Sequence, residues 1–240
     1  VLDGAERVFG LHTAYDLEAG TVGLKPGINN AAVDHFRIRV HGKSTHVSTP
    51  HLGVDALYIA SQIVVAVQGL VTRRTSPTEP VIIGIGKLNA GTTYNAVAAF
   101  AEMEGTTRTI SQESRDRVRA QVSETAQSIA ALYGGTAEVE WTDFAAALIN
   151  DPQVCREAAE VVDELLGEGH VVTDRELSLS GDNFAEFELY KPGAYAYLGT
   201  GNPDLPHTMI TNHNGGFDVD ENALVTGAGL YVGYTVARLG

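Results

Sequence analysis

The sequence predicts an α/β protein in two parts, with a smaller β-α-β-β-α-β unit inserted into the chain of a larger α/β unit. Two observations predict it. From residue 29 to 143 the apolar pattern runs strand, helix, strand, strand, helix, strand, which is the split βαβ, ferredoxin-like order. On either side, at 1–28 and 144–240, short apolar runs alternate with helical patterns, as in one α/β domain whose chain is interrupted.

Each element has its own signal. Val8 to Leu11 is a short apolar strand. Phe36, Ile38 and Val40 alternate with Arg37 and Arg39, which predicts a strand with one wet face. Val54, Leu57, Ile63, Val64 and Val67 recur near helical spacing, and Thr75-Ser-Pro77-Thr-Glu-Pro80 breaks the chain after them. Val81 to Ile85 reads as a buried strand and Val97 to Thr107 as another. Ser111 is the expected N-cap of a helix carrying Val118, Val122, Ala126, Ile129 and Tyr133, stopped by Gly134-Gly135. Ala137, Val139 and Trp141 then alternate with Glu138 and Glu140. Beyond the insertion, Asp151-Pro152 opens a helix through Leu166, with Pro at the first helical position where its missing N–H is harmless. Leu177 to Leu179 and Ala194 to Leu198 read as short strands, and a final helix starts near Asp220. So small a layer leaves an edge strand or helix exposed as a natural pairing surface.

Composition narrows the function. At 240 residues and 44% apolar, the chain can bury cores for two domains. A net charge of −14, with 16 scattered basic residues, argues against nucleic-acid binding, which needs clustered Lys and Arg. The single cysteine, Cys155, permits no internal disulfide and sits in a helical pattern as a packing residue. No apolar run reaches the roughly 20 residues that cross a bilayer, so no membrane partner is expected. The chain opens on a core-like segment without an initiator Met, as if cut from something longer, and a cytoplasmic location is only a default.

Candidate chemistry is dispersed along the chain. His12 follows an apolar strand, and strand ends in open α/β sheets face the usual crevice; neutral imidazole is also the common ligand of zinc-like ions. His213 lies in a glycine-containing polar loop before a helix, with His207 as a competing imidazole. Taken alone, each is equally an ordinary histidine bonded to a carbonyl or to water. His46 sits among Gly42-Lys-Ser-Thr-His46-Val-Ser-Thr-Pro50, a stretch of small and hydroxyl residues expected to form a mobile loop. Asn95 and Arg108 flank a strand, and Arg108 could fork onto a carboxylate or join a surface ion pair. There is no Gly-x-Ser-x-Gly elbow, P-loop or dinucleotide fingerprint.

Together these segments resemble the two-zinc aminoacylase and carboxypeptidase family, in its amidohydrolase branch of hippurate hydrolase and the indole-acetyl-amino-acid hydrolases. The carrying motifs are Gly10-Leu-His12, Gly42-Lys-Ser-Thr-His46 through Asp55, Gly91-Thr-Thr-Tyr-Asn95, Gly105-Thr-Thr-Arg108-Thr, Pro192-Gly-Ala-Tyr-Ala-Tyr-Leu-Gly199 and His213-Asn-Gly-Gly-Phe-Asp218, in the family's order. The resemblance implies a catalytic α/β domain interrupted by a ferredoxin-like lid through which subunits form a homodimer. It implies two divalent metal ions, zinc first and manganese, cobalt or nickel as alternatives, with His12 and His213 as ligands. His46 would reach the partner's cleft to steady an oxyanion, and Asn95 and Arg108 would hold the substrate. That substrate would be an N-acyl amino acid or a similar amide conjugate.

The family's other ligands and its general-base Glu come from upstream segments, so the resemblance implies that this chain is a C-terminal portion, inactive alone. One local departure stands out: Ser180-Gly-Asp182-Asn183-Phe184 replaces the usual Gly-x-Glu-Asp-Phe, leaving Asp182 as a candidate supporting residue behind the metal site. Two rival readings remain: a non-catalytic dimerisation or binding protein on the same scaffold, and a related di- or tripeptidase.

Overall fold

A computed structural model of the chain describes residues 2–239. In chain order the elements are β1 (Val8–Glu18), β2 (Val22–Gly23), β3 (Gly27–Asn30), β4 (Ala32–His41), α1 (Ala56–Arg74), β5 (Ile82–Ala90), β6 (Phe100–Thr109), α2 (Gln112–Leu132), β7 (Thr136–Ala145), β8 (Leu148–Asn150), α3 (Pro152–Leu166), β9 (Val171–Val172), α4 (Ala185–Glu188), β10 (Gly193–Gly201) and α5 (Asn222–Leu239). They form two compact units. One comprises Ala31–Ala147 with Leu179–Gly181; the other comprises Val1–Asn30, Leu148–Ser178 and Asp182–Gly240.

The inserted unit is a four-stranded antiparallel sheet in the order β5-β6-β4-β7. The predicted alternation along β4 is realised. Phe36, Ile38 and Val40 are fully buried against Ile59, Ile63 and Val67 of α1 and Val118, Val122 and Ala126 of α2. On the other face, Arg39 bonds Glu102 at 3.1 Å and Glu140 at 2.7 Å, while Lys87 reaches Glu104 at 2.7 Å. Arg39–Glu102 and Lys87–Glu104 are directly opposite on antiparallel strands, and Arg39–Glu140 is a diagonal pair still within reach of the long side chains. Asp55 caps α1 through the amides of Leu57 and Tyr58, and Ser111 caps α2 through the amide of Ser114, each supplying an oxygen to an otherwise unpaired N–H. By length and hydropathy α1 could cross a bilayer; here its buried face packs on the sheet, while Leu57, Tyr58 and Val65 stay exposed.

A buried ion pair ties α2 to the sheet. Arg115 donates to both carboxylate oxygens of Asp34 at 2.6–3.1 Å, with both side chains almost fully enclosed. Trp141, the one tryptophan, packs on Phe36 and donates to Ser123.

The interrupted unit holds a mixed sheet in the order β1-β10-β2-β9, with a separate β3–β8 pair. Its core gathers Val154, Ala158, Val161 and Val162 of α3, Ala194, Ala196 and Leu198 of β10, and Ala223 and Leu230 of α5. Asp151 caps α3, and Pro152 stands at its first position as expected. Cys155 is buried in this core, and burial, then Glu188 and Asp151, push its thiol up to about 11. A packing role fits that inert state.

Three expectations are corrected. The first strand does not stop at Leu11; β1 continues to Glu18 through an irregularity after Ala14. Leu177 to Leu179 form no strand: Ser178 makes one bridge to Asn30, and two-residue β9 pairs with β2 instead. The strand read as buried at Val81 to Ile85 is an edge strand, β5, buried on one face only: Val81 and Ile83 enter the core and Ile82 is exposed.

Replacing Arg115 by Ala leaves Asp34 buried beside only the more distant Arg119, 3.8 Å away. Urea unfolding followed by Trp141 fluorescence is expected to show a loss of about 3 kcal/mol or more. An unchanged midpoint would mean that the pair contributes nothing.

Candidate functional site

In the interrupted unit, β1 lies parallel to β10 with His12 opposite Tyr197. His12 is therefore mid-strand, not at a strand end as the sequence suggests, because β1 runs on past Thr13. The parallel register places its ring between two tyrosines, with centroids 6.1 Å from both Tyr195 and Tyr197. Gly10, two residues before it, is required: a Cβ there would come within 2.8–2.9 Å of the Phe184 and Tyr195 rings.

His12 Nδ1 lies 2.7 Å from the Thr13 carbonyl oxygen. A carbonyl only accepts, so in the neutral ring Nδ1 carries the proton and Nε2 keeps its lone pair. That is the tautomer a metal-binding imidazole needs. The Asn212 amide nitrogen lies 3.4 Å both from His12 Nδ1 and from the Thr13 oxygen. The turn holding His213 is thus brought beside His12. His213 is the one non-glycine described residue at positive φ, 62°, a backbone state that costs energy and recurs at functional sites. His207 lies 3.8 Å from Asp218.

Asp182 is held by two hydrogen bonds. Oδ1 accepts the Phe184 amide at 2.8 Å, and Oδ2 accepts the Tyr195 hydroxyl at 2.7 Å. Burial first, then this bond, raise the Tyr195 phenol far above the ordinary range. The Tyr197 hydroxyl donates to Asn30 at 2.6 Å, and the Arg175 guanidinium stacks 4.5 Å above its ring. The two tyrosines are the site residues that sequence reasoning missed. Their i, i+2 spacing in Tyr195-Ala-Tyr197 already put both rings on one strand face, but nothing local identified His12 as their neighbour.

In the inserted unit, His46 and Asn95 form one lip. His46 bridges Ala96, the Val47 amide donates to the Asn95 carbonyl, and the Val97 amide to that of Thr45. The stretch expected to be a mobile loop is therefore hydrogen-bonded to its neighbours, and Lys43 and Val54 also exchange two backbone bonds. His46 is exposed, and its Nδ1 accepts the Ser48 amide at 3.2 Å, with the Ser48 hydroxyl at 2.7 Å. Neutral His46 accordingly carries its proton on Nε2, the opposite tautomer to His12. The Asn95 side-chain oxygen accepts from Thr93 at 3.1 Å.

Arg108 lies elsewhere in the same unit, near the far end of β6. That strand is 10 residues long, roughly 30 Å at the usual rise. The guanidinium donates to the Leu179 and Thr107 carbonyls at 3.0 and 2.9 Å and to the Thr106 hydroxyl. All three acceptors are neutral, so its charge is held in place and not cancelled. The structure therefore joins His46 with Asn95, and His12 with the His213 turn and the Asp182–Tyr195 pair, but keeps Arg108 apart from the His46 lip.

The pattern of the peptidase dimerisation domain matches residues 31–133. The sequence is 34% identical to N-acetyl-L-cysteine deacetylase of Bacillus subtilis (strain 168), over 93% of this chain and 52% of that protein. It is 33% identical to thermostable carboxypeptidase 1 of Saccharolobus solfataricus, over 95% of this chain and 57% of that one. A solved dinuclear metal-binding peptidase of the M20 family from Bacillus subtilis matches with a TM-score of 0.78 and 31% identity, over 99% of this chain and 58% of its own. The chain carries the peptidase dimerisation domain and is similar along its length to enzymes that include an M20-family metallopeptidase. It spans about half the length of the relatives it matches. As in that M20 structure, its fold is mixed α/β, and the inserted unit corresponds to the family's dimerisation domain.

The opposite tautomers are directly measurable. In mildly alkaline solution, ¹⁵N NMR of the metal-free chain is expected to show His12 protonated at Nδ1 and His46 at Nε2. The same tautomer at both would contradict the hydrogen-bond assignments.

Proposed function

We propose that the chain is part of a metal-dependent amidohydrolase that cleaves N-acyl amino acids or similar amide conjugates. The observation that carries this reading is the convergence of His12, in its ligand-ready tautomer, with the turn bearing His213. The names of the relatives, a deacetylase and a carboxypeptidase, support amide hydrolysis.

The residues present fit a metal site in kind but not in number. Imidazole suits a zinc-like ion, and beside His213 the buried Asn212 side-chain oxygen has no hydrogen-bond partner. Among the described residues, however, no three His, Cys, Asp or Glu side chains cluster. Two imidazoles do not complete a four-coordinate site. On this reading the remaining ligands and the general base come from polypeptide beyond these 240 residues. Two structural features support that. β1 is an edge of its sheet, and α5 exposes Leu224, Val225, Val232 and Val236, an apolar face of the kind that further polypeptide covers. His12 and His213, with ligands from further polypeptide, would hold divalent metal, zinc by first choice, whose chemistry there would be water activation and carbonyl polarisation.

The chain's own residues would then act as follows. Tyr195 and Tyr197 fix the plane of the His12 ring, and Asp182 fixes Tyr195. His46 presents Nε2–H as a donor to the oxyanion of the tetrahedral intermediate. Asn95 supports the same oxygen, and Arg108 pairs with the substrate carboxylate through its uncancelled charge. Since Arg108 and the His46 lip stand at opposite ends of one sheet, the His46 that serves a given site would belong to a second copy. A homodimer through the open edge of β5 and the exposed face of α1 would bring it there.

The test is a chain extended upstream to the length of its relatives and assayed with zinc or manganese on N-acetyl amino acids. Turnover is expected, with kcat reduced about 10²–10³-fold by His46→Ala. No turnover with either metal, or an unaffected His46→Ala variant, would defeat the proposal.

A further inference from the structure

Behind β10 lies a carboxyl group that the proposed chemistry does not use. Glu188 ends α4, and its Oε2 accepts the Ile149 amide of β8 at 2.9 Å. Its Oε1 is buried with no hydrogen-bond partner. The side chain is packed against the start of β10: a Cβ on Gly193 would lie 2.9 Å from Glu188 Cγ. Glu188 is half-buried, and enclosing one unpartnered oxygen of a carboxylate is costly, that of the neutral acid much less so.

Among the described residues, the charges that act on Glu188 are negative. Asp151, at the N-cap of α3, and Asp182, before α4, both act on Glu188 as like charges. On α3 the Cys155 thiol also feels Glu188, and Arg156 acts on that thiol from the same helix. Burial first, then Asp151 and Asp182, raise Glu188 to about 7 against an opposing bond from Ile149.

Glu188 also closes a ring of contacts that reaches His12. Ile149 precedes Asn150, whose side chain exchanges two bonds with the Tyr195 backbone at 2.8 and 3.0 Å. Tyr195 flanks His12 and donates to Asp182, and Asp182 begins the turn that leads back through α4 to Glu188.

We propose that Glu188 is a positioning residue, a protonated latch whose bond to Ile149 keeps the Asp182–Tyr195 pair seated beside His12. When the proton leaves, a third negative charge joins Asp151 and Asp182. The carboxylate would accept the Ile149 amide more strongly, but burial and the repulsion of Asp151 and Asp182 outweigh that gain, so Glu188 moves out toward water and the 182–188 segment loosens. The consequence for catalysis rests on His12 being a ligand; the latch itself does not, and its test needs neither metal nor substrate.

The sign follows from linkage. In the released segment Glu188 titrates near its ordinary 4.5, and in the latched state near 7. Between those values only the latched state holds the proton. Latching is therefore complete below the lower value, weakens as pH rises, and reaches its minimum above the higher one.

Amide hydrogen exchange of the metal-free 240-residue chain, corrected for intrinsic base catalysis, reads this directly. Protection of the Ile149 and Tyr195 amides is expected to fall with pH, by about tenfold per pH unit at the steepest, and to level off above about 7. Glu188→Gln, which mimics the neutral acid, should hold protection constant, whereas Glu188→Ala should lose it at every pH. A profile in Glu188→Gln that matches the parent's, or none in the parent, would overturn the proposal. If Glu188→Gln fails to fold, Asp151→Asn serves, because it keeps a capping oxygen and removes a like charge. The levelling-off point should then move to lower pH, and an unmoved point would overturn the latch.

Discussion

The parallel pairing of β1 with β10 is the constraint on which the rest of this structure depends. Parallel neighbours cannot be joined by a tight turn, and here the connection carries the whole inserted unit together with α3 and α4. The pairing register puts His12 opposite Tyr197 and beside Tyr195. Through Tyr195 it recruits Asp182, and through Asn150 it ties in β8. A one-residue slip would turn His12 to the opposite face of the sheet. Glycine at position 10 protects that register, since any side chain there would strike the rings that flank the histidine.

The same architecture divides the chemistry. The two imidazoles proposed as metal ligands, His12 and His213, belong to the interrupted unit, whereas the groups proposed to bind and polarise a substrate belong to the inserted one. Within the inserted unit they are divided again, with His46 and Asn95 on one lip and Arg108 near the far end of β6. Neutral acceptors hold Arg108 without discharging it, and the Ser48 amide sets the tautomer of His46. Both side chains are therefore oriented in advance for work that one copy of the sheet cannot perform at a single point. On the proposed reading, a symmetric pair of copies would resolve this geometrically, each lending its lip to the other.

Much of the fold was legible because its signals are local. The Phe36-Ile38-Val40 alternation, the Ser111 and Asp151 caps, Pro152 and the Gly134-Gly135 stop each act within a few residues, and each appears in place. Errors arose where tertiary context decides. β1 outruns its apolar run because the polar stretch after Leu11 still pairs with β10. The apolar Leu177 to Leu179 finds no strand partner beyond one bridge. β5 carries a buried-strand composition yet lies at an edge, burying Ile83 in the core while Ile82 and Leu88 face outward.

The site was legible as a set of residues but not as an arrangement. His46 and Asn95 meet by a bridge between distant loops, and the neighbours of His12 lie nearly the whole chain away. Glu188 sits in Ala185-Glu-Phe-Glu-Leu and looks like any surface glutamate; only its packing beneath Gly193 sets it apart. Tautomers, likewise, follow from hydrogen bonds that no periodicity reveals.

Subunit complementation tests the shared-site claim most directly. Chains extended to the relatives' full length and carrying either His12→Ala or His46→Ala would be assayed separately, then mixed and allowed to exchange subunits. If the His46 lip serves the other copy, each variant alone is inactive. An equal mixture then recovers about a quarter of the parent activity, from the one intact site of each mixed dimer. A mixture no more active than its components would contradict the account.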